Sequence, residues 1–173
     1  MTSSQAAPED SATVSLIPDV CAAIGFIAVN WALIERQMDN LCHVAFEAER
    51  SDGKGLKKPR ALKDKFKFIR RHILGSPRFA ALGERLATLM DATESLADKR
   101  HMFLHGAIES IEDSVLVFNR LEFQDDYMSY AEKFDLQDFP LLVEELQHAV
   151  RLWLQLAWEV LEVEVRPYLR PAS

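Results

Sequence analysis

Cysteine is nearly absent from this chain of 173 residues: there are two, Cys21 and Cys42. Both fall on one expected helix, where twenty-one residues at 1.5 Å rise hold them roughly 31 Å apart. A disulfide within the chain is therefore excluded, and both thiols are expected as small buried hydrophobes in a reducing compartment. Glycine is also sparse, at six residues. Gly53-Lys54-Gly55 lacks the strand-loop-helix setting of a phosphate loop, no Gly-x-Ser-x-Gly occurs, and no Cys–His pairing suggests a nucleophile. The first fifteen residues, MTSSQAAPEDSATVS, have neither a basic start nor an apolar run, so they do not read as a signal peptide. Residues 1–16 are expected as a loose tail, and 17–170 as a single helical domain. Charges interrupt every later apolar segment, so no membrane span is expected and cytoplasmic residence is the default.

Positive charge is in the minority, with 20 Lys and Arg against 27 Asp and Glu, for a net charge of −7. That balance argues against indiscriminate nucleic-acid binding. Its distribution is uneven. Residues 54–78 hold ten of the twenty cations and one acid, Asp64, so this segment is +9 and the rest of the chain −16. Such asymmetry fits either a local anion-binding surface on an acidic body or a solvated helix face paired with acids elsewhere. The candidate RNA contacts are Lys57, Lys58, Arg60, Lys63, Lys67, Arg70 and Arg71.

The apolar residues mostly follow a helical period. Val20, Ile24, Ile27, Trp31, Ile34, Met38, Leu41 and Ala45 predict a helix from about Pro18 to Glu47, followed by a loop at 51–59. Leu62, Phe66, Ile69 and Ile73 predict a second, basic helix over 60–74. Ser76 as N-cap and Pro77 in the first turn open a third, running to about His105. Its stripe is Phe79, Leu82, Leu86, Leu89, Thr93, Leu96, Arg100 and Phe103, with Gly106 placed to end it. Residues 107–123 are β-prone about a turn at Glu112-Asp113-Ser114 and predict a short hairpin. Residues 124–137 read as a loop or short helix. The last helix, from about Asp138 to Tyr168, has an apolar face widened by Leu152, Leu154, Trp158 and Leu161, enough to pack on two sides. The expected fold is all-α: a four- to five-helix bundle with a short β-hairpin insertion before the last helix.

Arg100 occupies a stripe position suited to an apolar residue, and a guanidinium there is costly unless paired. Arg100-His101-Met102-Phe103-Leu104-His105-Gly106 brings an Arg and two His within two turns at a helix end. Arg can hold a phosphate, and His can move protons near neutral pH. Those groups suffice for cleavage of RNA by its own 2′-hydroxyl, without metal or cofactor. Five residues at about 100° each set Arg100 and His105 roughly 140° apart, so convergence requires the helix to end there or a second chain to supply one half. The alternative is a helix end whose Arg and His complement the dipole and cap carbonyls.

The Arg-x4-His spacing at the end of a third helix, followed by Gly106 and preceded by the Trp31–Glu35 helix, resembles the HEPN (higher eukaryotes and prokaryotes nucleotide-binding) superfamily. The resemblance implies a compact helical domain, metal-independent endoribonuclease activity in many members, and a homodimer whose two motifs form one cleft. It implies catalytic roles for Arg100, His105 and His101, with Glu35 as a supporting partner of Arg100. Toxin or defence roles and a cognate antitoxin or other partner protein come with it. Members that have lost catalysis imply the alternative, an inactive dimeric module binding a nucleotide, RNA or protein. Two positions depart from the pattern: His101 follows the Arg where Asn or Asp is more common, and Ala107 stands where one toxin subgroup carries a modified Tyr.

A metal site is the remaining reading. His101 and His105 at i,i+4 can bind zinc, and Asp98-x-x-His101 with Glu145-x-x-His148 echoes di-iron bundles. The second helix offers only Asp64 amid lysines for such a set.

Overall fold

The computed structural model describes residues 11–50, 57–112, 114–123 and 127–165. Four α-helices and three strands follow in the order α1 (Ser11–Arg50), α2 (Leu62–Ile69), α3 (Gly83–His105), β1 (Ala107–Glu112), β2 (Val115–Phe123), β3 (Tyr127–Asp135) and α4 (Phe139–Val165). A π-helical turn, Arg70–Leu74, extends α2, and 3-10 turns at Pro77–Leu82 and Leu136–Asp138 lead into α3 and α4. The chain is mostly helical, but it is not all-α, because the expected hairpin is part of a three-stranded antiparallel sheet.

Chain contacts divide the molecule into two compact units, residues 1–29 with 98–144 and residues 30–97 with 145–173. The first contains the sheet. Its strand order is β1-β2-β3, and Glu112 pairs with Val115 across the expected turn. The register shifts between Ile108 and Ser110, leaving Glu109 as a one-residue bulge. β3 pairs with β2 along its whole length, from Val115 with Asp135 to Phe123 with Tyr127. This corrects the reading of 124–137 as loop or short helix; 124–126 lie outside the described residues. Polar side chains hid the strand. Tyr130, Glu132 and Phe134 are more covered than Ala131 and Lys133, a period of two expected of an edge strand with one face in solvent. Leu116, Val117 and Phe118 of β2 are all buried.

The second unit holds most of the core: Trp31, Ile34, Met38 and Leu41 from α1, Phe66 and Ile69 from α2, Leu86, Leu89 and Met90 from α3, and Leu146, Trp153 and Val160 from α4. One polar pair is sealed within it. Trp153 Nε1 donates to Thr93 Oγ1 at 2.9 Å, and that hydroxyl donates to the Leu89 carbonyl at 2.7 Å; both side chains are 0% exposed. Each polar hydrogen therefore has an acceptor, as burial demands.

Helix starts differ from expectation. α1 begins at Ser11, so Pro18 lies inside it and residues 11–16 are helical; residues 1–10 of the expected tail lie outside the described residues. Pro77 opens its turn as expected, but the Ser76 side chain makes no capping bond. Cys42 is buried and Cys21 exposed, correcting the expectation that both are buried. Cys21 follows the buried Val20 by about 100° around the helix and so leaves the stripe. Pro18–Glu47, with mean hydropathy 1.4, is long and apolar enough to cross a membrane by length and composition, which the interrupting charges had argued against. Val20, Ile27, Trp31, Ile34, Met38, Leu41 and Ala45 are buried along it, while the exposed positions include the apolar Phe26, Val29 and Leu33 beside Asp39 and Asn40.

Candidate functional site

The last turn of α3 is anchored by its apolar side. Met102 and Phe103 are buried, and the Phe103 ring meets Phe118 of β2 edge-on at 5.1 Å, Phe134 of β3 edge-on at 4.8 Å and Phe139 of α4 at 5.2 Å. Such aromatic pairs hold both position and ring orientation. At about 100° per residue, Met102 and Phe103 stand roughly 200° and 300° from Arg100, while His101 and His105 stand at roughly 100° and 140°. Anchoring one side thus presents the other three.

Arg100 is half-buried, His101 half-buried and His105 exposed. Arg100 Nη1 lies 3.2 Å from His105 Nε2, and the two imidazoles stand 4.8 Å apart between centroids, tilted by 51°. The angular gap between Arg100 and His105 is closed by the long, flexible Arg side chain, so one chain brings the two groups together. A guanidinium only donates, so Nε2 must accept, and the ring proton in this bonded form sits on Nδ1. Gly106 follows directly. Its N–H donates to the Met102 carbonyl at 2.8 Å, and a Cβ there would meet that oxygen at 2.6 Å and Phe118 side-chain carbons at 3.2 and 3.3 Å. Close approach, not a left-handed backbone, is what requires glycine here.

Glu35 accepts from Trp31 Nε1 at 2.7 Å within α1 and belongs to the other unit from Arg100.

The basic residues sort into two groups, all within the second unit. Arg70 Nη2 donates to Asp91 at 2.8 Å and Glu94 at 3.1 Å, and the bond to Asp91 chiefly pushes its pKa further up. Lys65, 7% exposed, pairs with Asp39 at 2.9 Å. These two hold α2 to neighbouring elements. Lys57, Lys58, Arg60, Lys67 and Arg71 instead line an open cleft of about 820 Å³, together with Pro59, Asp64, Phe68 and His72. Lys63 does not line it. Sequence reasoning missed Phe68 and His72, whose rings lie 4.4 Å apart between centroids, tilted by 39°. The legible signal was the spacing of Asp64, Lys67, Phe68 and Arg71, which repeats one helical face.

Near this cleft Cys42 has its thiol pushed up to about 12, first by burial and then by Asp39, against the opposing Lys65 and Lys58. It is a thiol with no thiolate near neutral pH. Among the described residues, no group of three or more His, Cys, Asp or Glu is arranged to hold a metal ion. Comparison of the chain with family models, with curated proteins and with solved structures gives no match.

Proposed function

We propose that this chain is a metal-independent endoribonuclease of the HEPN kind, cytoplasmic and homodimeric, in which Arg100 and His105 carry the reaction. The observation behind this reading is the 3.2 Å contact between Arg100 Nη1 and His105 Nε2. An RNA phosphate makes a stronger, charge-assisted bond to the guanidinium than a neutral ring does. Substrate therefore draws Arg100 off the imidazole and leaves the Nε2 lone pair as a base. His105 then takes the 2′-hydroxyl proton, the 2′-oxygen attacks phosphorus, and Arg100 stabilises the added charge. The bond to the 5′-oxygen breaks, and an imidazolium protonates that leaving group.

In-line attack puts base and acid on opposite sides of phosphorus. The His101 and His105 rings, 4.8 Å apart and side by side, leave no room for a phosphate between them. The acid therefore comes from the partner subunit, and His101 orients His105. Lys57, Lys58, Arg60, Lys67 and Arg71 supply the cations that bind the RNA backbone. A second reading, a non-enzymatic module that docks a partner protein such as an antitoxin, draws on Leu154 and Trp158, exposed at 39% and 67% on α4.

The test is incubation of the full chain with total RNA in EDTA, beside His105→Ala and Arg100→Ala. Cleavage that survives EDTA and is lost in both variants is expected; a folded wild type that cuts nothing overturns the reading. Sizing that finds only monomer overturns the dimeric step.

A further inference from the structure

We propose that the cleft along α2 is a binding site for a run of closely spaced phosphates, from either a single-stranded RNA backbone or a free polyphosphate chain. It deepens the RNA-binding part of the reading above and does not depend on cleavage. Two elements converge on it: Lys57, Lys58 and Arg60 from the irregular segment before α2, and Lys67 and Arg71, one turn apart, from the helix and its π-turn. π-turns recur at functional sites. Among the described residues none of the ion pairs takes up these five cations, whereas Arg70 and Lys65 on the same stretch are paired to Asp91, Glu94 and Asp39. Structural cations and ligand-facing cations are thus separated residue by residue.

Five cations face one carboxylate, Asp64. A single inorganic phosphate carries too little charge to satisfy them, so the fitting ligand bears several. The volume, about 820 Å³, lies in the range of small-ligand sites. Phe68 is 8% exposed, so it forms a floor under His72 and offers no open ring face for a base. Recognition is accordingly of phosphates, with tolerance of base sequence. Because the whole chain is −7, attraction of a polyanion must come from a local patch.

The test uses full-length His105→Ala, in which cleavage is removed so that binding failure and catalytic failure are read separately. A fluorescent ten-nucleotide single-stranded RNA is titrated by anisotropy at low salt and competed with unlabelled RNA, with tripolyphosphate and with inorganic phosphate. Lys67→Ala/Arg71→Ala is compared with Lys133→Ala/Arg151→Ala, exposed positions outside the cleft with the same charge loss. The cleft pair is expected to weaken binding at least tenfold, and to reduce the slope of log affinity against log salt by about 1.4, at roughly 0.7 per phosphate contact. The control pair should change affinity less than threefold. Tripolyphosphate competing as well as RNA assigns the cleft to free polyphosphate, and competition by RNA alone assigns it to the RNA backbone. Equal losses in both pairs, competition by inorganic phosphate at the same concentration as tripolyphosphate, or no binding at low salt would each overturn the proposal.

Discussion

Arg100 donates through Nη1 to Nε2 of His105 across 3.2 Å, and this one bond fixes which ring nitrogen carries the proton. In long-range ¹H–¹⁵N spectra at a pH where the ring is neutral, wild-type His105 should show the Nδ1–H tautomer. Arg100→Ala should move it toward Nε2–H, the form favoured by an unassisted imidazole. A His105 spectrum that does not change on losing Arg100 would show that the contact is not held in solution.

Gly106 is enclosed by the Met102 carbonyl and the Phe118 side chain. Gly106→Ala should destabilise by about 1–3 kcal/mol, the usual cost of overpacking, in urea denaturation. Gly83 sits in α3 with nothing within 4 Å of where a methyl group would stand, and it provides the contrast. Gly83→Ala should be neutral or stabilising, since alanine is the better helix former.

Glu159 accepts a two-pronged bond from Arg85, at 2.9 and 3.0 Å, with Gln155 adding a third at 3.0 Å. The Arg85 bond is the main cause of a carboxyl held below its ordinary value of 4.5. A depressed carboxyl contributes stability that is present in full above its unfolded value and is lost as pH falls through the folded one. Glu159→Gln should therefore lower Tm slightly near pH 7, with the difference from wild type shrinking as pH falls below that ordinary value and vanishing below the depressed folded one. A gap that persists undiminished in acid would refute this account. The pair is solvent-exposed, so high salt should shrink the effect as well.

Thiol labelling should separate the two cysteines. Cys21 is exposed, and Cys42 is buried with its pKa pushed up to about 12. A maleimide at pH 7.5 should modify Cys21 in the native protein and reach Cys42 only after unfolding. Mass spectrometry of the labelled peptides reads both positions, and native labelling of Cys42 would contradict the burial described for it.

The helices were legible because their stripes obey one period. Phe79, Leu82, Leu86, Leu89, Thr93, Leu96 and Phe103 are all buried, with Arg100 half-buried at a stripe position suited to an apolar residue. Residues 127–135 were not legible as a strand, since an edge strand needs few apolar residues and its pairing with β2 is a non-local fact. The meeting of Arg100 with His105 was also hidden. Angular position around a helix ignores side-chain reach, and the contact is made by the far end of a guanidinium. The basic segment was visible as charge, but its division was not: Asp39, Asp91 and Glu94, which claim Lys65 and Arg70, lie on other helices.

The aromatic cluster has a mechanical consequence. Phe103 reaches Phe134, which β3 supplies, and β3 is bound to the sheet along one edge only. The turn bearing Arg100 and His105 is thus tethered in part to an edge strand. Whatever seizes that outer edge, such as an added strand from another polypeptide, pulls on the tether of the site without touching its polar groups.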